Sequence, residues 1–433
     1  MDEKRLKIQQ KFYALTLCSV VFAVVYNYAA WHTSALQEVS SFVFDFEKYI
    51  PFIPWTVIPY MTSGLFFCLV FFLCIHKEQL KVLTQRMLFV TITAGIVFLL
   101  FPLKFSLPKP DTQNFIFGYS FNFLKAFDSP FNQAPSLHIS YALIFWSVFR
   151  TLKKGRAVVL LWLILLGIST LTTYQHHCID IIAGAILAHI SFILFPYRKK
   201  DVQYRNFQVA NFYFLSGWIF ILIGLLLNQF LGSLGLILLW PAMMSFGIGY
   251  HYQKNNTYFL KDKNGNIHWI KKIFYFPFLL MYQIFWKFLR KNKIPTEPVS
   301  RIYISSKPNQ ETLNHFKVDK DTFVYDLSPE MEENSLLKKQ SAYYFRPILD
   351  IGKFDTEKTQ FLITEISRTY RHLPENGKIL IHCTMGFTRS SVIGILVIKN
   401  ILSLPLEEAI TIMKTSNKDM ILHSYLQDFL KKF

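Results

Sequence analysis

Cys383 and Arg389 are separated by five residues in KILIHCTMGFTRSS, where an apolar strand-like run ends in a short loop and a helix-like run begins. A loop of that length wraps successive backbone N–H groups around one phosphate, with Gly386 at its centre. The helix N-terminus that follows adds a favourable field, and Arg389 closes the ring with a forked contact. The same field favours a thiolate over a thiol, which makes Cys383 a competent nucleophile.

A second set of polar residues interrupts apolar runs far upstream. It comprises FPLKFSLPKP with Lys104 and Lys109, PSLHIS with Ser136 and His138, and STLTTYQHHCID with Ser169, His176 and Asp180. His176 and Asp180 are four apart at the start of a helix and share a face, so the carboxylate can hold one ring nitrogen while the other meets substrate. His138 is then placed to give a proton to a leaving oxygen, with Lys104, Lys109 and Ser136 on phosphate oxygens. Ionisable groups at membrane spans are costly and functional by default. His177 beside this pair reads as a bystander and His189 as a packed structural residue.

The elements that must carry these residues differ between the two halves. Six apolar spans are expected at about 12–31, 55–75, 87–103, 136–152, 157–174 and 177–196, and two more at about 211–230 and 232–252. The chain has 46 Lys+Arg and 28 Asp+Glu among 433 residues, a net charge of +18. Residues 298–433 hold 18 basic and 16 acidic groups, so nearly all the excess belongs to the apolar part. There it gathers in clusters: Lys4, Arg5, Lys7 and Lys11; Lys77, Lys81 and Arg86; Arg150, Lys153, Lys154 and Arg156; Arg198, Lys199, Lys200 and Arg205. The alternate loops at 32–54 and 104–135 carry only Lys48, Lys104, Lys109 and Lys125. This asymmetry puts the N-terminus in the cytoplasm and the three upstream polar groups at one outer boundary. Clusters between spans also exclude the continuous basic stripe of a nucleic-acid face.

Residues 273–289 form a shorter apolar run with Pro277, Gln283 and Lys287 inside and basic flanks at both ends (Lys271, Lys272; Arg290, Lys291, Lys293). That pattern predicts a helix lying in the membrane interface. Beyond a linker at about 291–299, mixed charges and alternating strands (301–305, 323–327, 378–382) and helices (356–372, 390–401, 406–414) predict a soluble α/β domain of roughly 135 residues. The expected divisions are 1–54 (first span and outer loop), 55–200 (catalytic core), 201–297 (two further spans, interfacial helix and linker) and 298–433. The five cysteines make neither a disulfide framework nor zinc-finger spacing, and no metal or cofactor is expected.

Pro135, Ser136 and His138 match a PSxH element, and Ser169, His176 and Asp180 match SRx5Hx3D. Over about 55–200 the sequence thereby resembles the PAP2 family, the phosphatidic acid phosphatase type 2 and haloperoxidase superfamily. The resemblance implies a six-helix core and a metal-free mechanism with His176 as the nucleophile that forms a phosphohistidine. It further implies that Asp180 orients His176, that His138 is the general acid/base, and that Lys104, Lys109, Ser136 and Ser169 bind phosphate. Thr170 stands where the family has Arg, and the first element, normally KxxxxxxRP, is shortened to Lys104 with Lys109 and Pro110. Lysine cannot fork two phosphate oxygens as arginine does, so substrate binding should differ. Similar relaxed patterns occur in the sphingomyelin and inositol-phosphorylceramide synthase branch.

The run His382 to Ser390, HCxxGxxRS, resembles a dual-specificity phosphatase of the protein-tyrosine-phosphatase superfamily over about 299–430. That resemblance implies a carboxylic acid about thirty residues upstream, met by Asp350 with Asp355 as the alternative, and a hydroxyl, Ser390, that eases release of the cysteinyl phosphate. The loop contains no lysine, which points to a monophosphate substrate.

The expected fold is a polytopic α-helical membrane domain, a six-helix core with two extra spans, followed by a dual-specificity phosphatase domain. The expected activity is hydrolysis of phosphomonoesters at two sites. The membrane site would take a phospholipid or isoprenoid phosphate on the outer face, and the soluble site a phosphoprotein or phospholipid in the cytoplasm. The pairing of these modules resembles a bacterial pattern and implies the inner membrane. The alternatives are lipid headgroup transfer with a regulatory phosphatase domain, and a non-catalytic phosphate-binding sensor.

Overall fold

A computed structural model describes residues 6–112, 115–197, 204–290 and 293–433. Lys4, Arg5, Arg198, Lys199, Lys200 and Lys291, expected among the basic flanks, lie outside the described residues. By internal contacts the chain divides into two compact units, Met1–Tyr197 with Phe214–Ala242, and Arg198–Tyr213 with Met243–Phe433.

The first unit is helical: α1 (Ile8–Ser34), α2 (Val57–Met61), α3 (Ser63–Leu73), α4 (Lys77–Leu100), α5 (Phe115–Phe127), α6 (Leu137–Phe149), α7 (Arg156–Thr172) and α8 (Cys178–Leu194), with most of α9 (Arg205–Leu231) and the start of α10 (Leu239–Gln253). Among the described residues, four stretches are long and apolar enough to cross a membrane: Ile8–Ser34, Pro54–Leu73, Lys77–Leu100 and Arg205–Gln253. The apolar helices α6, α7 and α8 have 13, 17 and 17 residues. They fall short of the roughly 20 residues needed to span the hydrocarbon. They begin within a residue of the expected starts and stop two or three residues before the expected ends, with residues 135–136 and 175–177 as irregular backbone ahead of α6 and α8. Such backbone is tolerated at membrane depth only where it lines a protein-enclosed polar site.

Helix α6 touches α3, α4, α7 and α8, and its Ile144 and Phe145 are buried among Phe71, Met87, Val90, Phe98 and Leu166. The loop expected at 104–135 contains α5, whose aromatic run FIFGYSF did not separate from loop by charge alone. Arg86, one of the basic cluster with Lys77 and Lys81, is buried and donates to the Phe195 carbonyl at 3.0 and 2.8 Å, so it caps the C-terminal end of α8.

The second unit holds the end of α10, then α11 (Trp269–Phe274), α12 (Phe276–Leu289), α13 (Gln310–Phe316), α14 (Ser335–Gln340), α15 (Thr356–Arg371), α16 (Arg389–Leu402), α17 (Leu406–Ser416) and α18 (Ser424–Leu430). Its sheet contains β1 (Thr296–Val299), β2 (Ile302–Ser306), β3 (Thr322–Asp326), β4 (Ala342–Phe345) and β5 (Lys378–Cys383) in the order β1-β2-β5-β3-β4. Only β1 runs antiparallel. It occupies part of the segment expected as linker, and Pro298, which has no N–H to donate, fits its place at the sheet edge. The central strand β5 reads Ile379, Leu380, Ile381, all fully buried, as a parallel strand covered on both faces should. Ligands of open α/β sheets bind beyond the carboxyl ends of such strands, which is where Cys383 lies.

A loop of this unit is fastened to the sheet by a buried ion pair. Lys261 is fully buried, and its Nζ donates to Asp326 Oδ2 at 2.8 Å and to the Ser328 carbonyl at 2.5 Å, while Tyr343 Oη donates to the same carboxylate at 2.7 Å. Burial pushes the Asp326 carboxyl up, but Lys261, His382 and the two donated bonds outweigh it and hold the group at about 2, below its ordinary 3.8. The contribution of this carboxylate is therefore complete above about pH 4 and is lost as pH falls toward 2. Replacing Lys261 with Met leaves the carboxylate buried without its cation and is expected to cost about 3–5 kcal/mol. The thermal unfolding temperature of the detergent-solubilised protein at pH 7 checks this, and an unchanged transition would contradict it.

Candidate active sites

In the membrane-type unit, α6 and α8 meet closely at their N-termini. Ser136 N donates to the Asp180 carbonyl at 2.9 Å and Ser140 Oγ to the Gly184 carbonyl at 2.8 Å. A Cβ on Gly184 would stand 2.5 Å from the Ser136 carbonyl oxygen, so only glycine permits this approach. The closeness brings the two histidine elements together, with the His138 and His176 ring centroids 5.6 Å apart. Asp180 Oδ2 lies 3.3 Å from His176 Nδ1 and accepts from His177 N at 2.8 Å. His176 Nε2 is thereby the free nitrogen of the ring.

Both rings line a cavity of about 400 Å³ whose other walls include Phe22, Phe67, Leu137 and Met61. Its polar end also holds Asp128, Asn132, Tyr26 and Tyr60, which the sequence reading missed. Tyr26 and Tyr60 both donate to Asp128, and Tyr60 stacks on His138 at 4.3 Å. Burial pushes the Asp128 carboxyl up, but His138, the two phenols and His176 together hold it below its ordinary value. The only signal available in sequence was an acid in a stretch of chain poor in acids.

The four phosphate-binding candidates are placed differently. Lys104, Lys109, Ser136 and Ser169 are not among the described residues that line the cavity. Lys104 N donates to the Ser40 carbonyl, and Ser169 Oγ donates to Leu166 within its own helix. Ser136 is fully buried, and its hydroxyl has no partner among the described residues. Lys109 Nζ lies over the Phe121 ring, and burial, opposed by Asp128 and aided by Lys125, lowers its ammonium to about 8. His177 stacks on Phe105 and pairs through Nδ1 with Glu47 at 2.9 Å, tying the segment that holds Glu47 to the start of α8. His189 is buried against Phe192 and Phe214.

In the second unit, Cys383 ends β5 and Arg389 opens α16. Gly386 adopts φ +80°, a left-handed turn that glycine allows without strain, and its N–H points at Cys383 Sγ from 3.3 Å. Ser390 Oγ is 3.4 Å from the same sulfur. Asn417 Nδ2 donates to the Gly386 carbonyl at 3.2 Å and to Ser391 Oγ at 2.9 Å, which fixes the loop from behind.

Arg389 is buried and held by two carboxylates. Its NH1 donates to both oxygens of Glu330 at 2.9 and 3.0 Å, and NH2 lies 3.3 Å from Asp350 Oδ1. Glu330, unnoticed in the sequence, also accepts from Thr384 Oγ1 at 2.6 Å. Burial and the neighbouring Asp350 push the Glu330 carboxyl above its ordinary value despite Arg389, whereas Arg389 is shifted upward by the same carboxylates against its own burial. The two shifts favour different charge states for Glu330. The contact with both of its oxygens decides for the ionised pair, since a guanidinium does not give up its proton. Asp355, the alternative acid, caps α15 by accepting from Lys358 N at 3.1 Å. Asp326, Glu333 and His382 offer ligand atoms within 4.8 Å of one another, but Lys261 and Lys307, the latter 3.1 Å from Glu333, already neutralise the two carboxylates.

The model of the PAP2 superfamily matches residues 52–194. No curated protein matches the chain. Among solved structures, Tk-PTP in its active form is similar at 22% identity over 32% of this chain and 94% of its own, with TM-score 0.29. Human DUSP28 is similar at 13% identity over 33% and 94%, with TM-score 0.27. The human tyrosine phosphatase-like serine/threonine/tyrosine-interacting protein is similar at 11% identity over 32% and 95%, with TM-score 0.28.

Proposed function

We propose that this chain is an integral membrane phosphatase with two chemically separate sites. The observation that carries the reading is that each nucleophile has its partners in reach: His176 has Asp180 behind it and His138 beside it, and Cys383 has the Gly386 N–H, Ser390 and the Arg389–Asp350 pair around it.

At the soluble site the Cys383 thiolate attacks phosphorus, the P–O ester bond breaks, and Asp350 gives its proton to the leaving oxygen. Water then breaks the S–P bond and returns a proton to Asp350, while the Ser390 hydroxyl stabilises the departing thiolate. At the membrane site His176 Nε2 attacks, His138 protonates the leaving oxygen, and water cleaves the P–N bond with its proton going to His138. The apolar walls of the cavity suit a phospholipid or isoprenoid phosphate, and the soluble site takes a phosphoprotein or phospholipid monoester. The basic clusters support a cytoplasmic N-terminus, a cytoplasmic cysteine site and an outer-face histidine site, and the pairing of the two modules suits a bacterial inner membrane. The α12 segment supports an interfacial placement.

One observation favours headgroup transfer as a second reading of the histidine site. Its described lining contains Asp128 and no Lys or Arg, so a phosphodiester, with one negative charge, is easier to hold there than a dianionic monoester. The test is a rapid quench with phosphate-labelled lipid and mass mapping of the label. Label on His176 with free phosphate released supports hydrolysis, and label passed to an added acceptor lipid supports transfer. Turnover without label on either His176 or Cys383 would overturn both mechanisms.

A further inference from the structure

Helix α12 has two faces of different character. On one, Phe278 is buried, Tyr282 Oη donates to Asp350 Oδ2 at 3.1 Å, and Trp286 Nε1 donates to the Lys307 carbonyl at 3.0 Å. Arg290, just past its end, donates to the same carbonyl at 3.2 Å. On the other, Phe276, Leu280, Met281, Ile284 and Phe288 are exposed. The helix therefore meets the phosphatase domain through a polar and aromatic stripe and turns its apolar side outward.

The stripe reaches the loop that carries the acid. Asp350 lies in a turn between β4 and α15 without secondary structure of its own, and its side chain is 27% exposed, so packing alone does not fix it. Its two carboxylate oxygens have separate partners: Oδ1 faces Arg389 NH2, and Oδ2 accepts from Tyr282. The backbone beside it is held as well, with Tyr252 Oη donating to the Asp350 carbonyl at 2.8 Å and Arg205 Nε to the Ile351 carbonyl at 2.8 Å. A phenol donating to Oδ2 fixes the rotation of the carboxyl group, so that Oδ1 stays on the side of Arg389, where the substrate phosphate would bind. An acid on a loop needs such support, because proton transfer tolerates only a fraction of an ångström of misplacement.

We propose that Tyr282 is a positioning residue for the cysteine site. From a helix that precedes the sheet in the same compact unit it holds the general acid Asp350 so that Oδ1 faces the leaving oxygen. The inference rests on the reading of Asp350 as that acid. It ties the chemistry of the soluble site to a helix whose free side suits the membrane surface.

The test uses the full-length protein carrying His176→Ala, so that only the cysteine site reports. It compares a nitroaryl phosphate, whose leaving oxygen departs without a proton, with phenyl phosphate, whose leaving oxygen needs one. Asp350→Asn is expected to lower kcat on phenyl phosphate about 100-fold and on the nitroaryl ester far less. Tyr282→Phe is expected to lower kcat on phenyl phosphate about tenfold at unchanged KM, to leave nitroaryl turnover within about twofold, and to cause no further loss in the Asp350→Asn background. Retained nitroaryl turnover also reports that the variant is folded. Equal loss on both esters, or no loss where Asp350→Asn is selective, overturns the role of Tyr282. If Asp350→Asn shows no preference between the esters, the acid assignment falls and the role of Tyr282 falls with it.

Discussion

Cys383→Ser is expected to reduce turnover at the soluble site by about four orders of magnitude or more, while lipid phosphate turnover at the histidine site stays unchanged. The side chain is buried at the end of β5, and serine is close to it in size, so the fold should survive. What changes is the charge state of the attacking atom. The Gly386 N–H and the first turn of α16 stabilise an anion at that position, and a serine hydroxyl at neutral pH does not supply one. Arg389, Glu330 and Asp350 should keep their places, so phosphate binding persists while chemistry stops. Inorganic phosphate release from an aryl phosphate, measured beside a lipid phosphate assay on the same preparation, checks both halves of the expectation. Parallel loss of the two activities would contradict two independent sites.

The soluble site was legible because its chemistry is local. Cys383, Gly386, Arg389 and Ser390 fall within eight consecutive positions where one strand gives way to one helix, and the strand itself announces a buried parallel neighbour through Ile379, Leu380 and Ile381. Glu330 and Tyr282 were not legible, since each reaches the site from a distant element. Glu330 reads in sequence as one more acid in SPEMEE, and its pairing with Arg389 depends on the turn after β3. The same holds in the membrane-type unit. His176 and Asp180 could be paired from helical spacing, whereas Asp128 is brought to the histidines by α5, a helix hidden inside a presumed loop. The starts of α6 and α8 were legible to within a residue, because polar segments precede both, whereas their C-terminal ends fall two or three residues short of the apolar runs. Arg86, counted with its cluster for topology, also caps α8 as a buried side chain, a contact that depends on the distant Phe195 carbonyl and so leaves no local signal.

His176→Ala is expected to abolish metal-independent turnover of lipid phosphate, again by about four orders of magnitude, and to leave the cysteine site intact. The argument turns on what remains when the ring is removed. Asp180 keeps its bond from His177 N, so the start of α8 should hold, and His138 stays stacked on Tyr60 beside Asp128. The cavity thus keeps an acid/base group and loses the atom that attacks. If the site instead used a water activated by His138, the variant would retain substantial hydrolysis, and that result would reassign His176 to binding. His138→Ala separates the roles further. Loss of a proton donor slows departure of a poor leaving group by about 10²- to 10⁴-fold, and an activated ester should recover much of that rate, whereas no leaving group rescues a missing nucleophile. Rates of the two variants on a lipid phosphate and on an activated ester, measured in the Cys383→Ser background, distinguish nucleophile from acid at this pair of histidines.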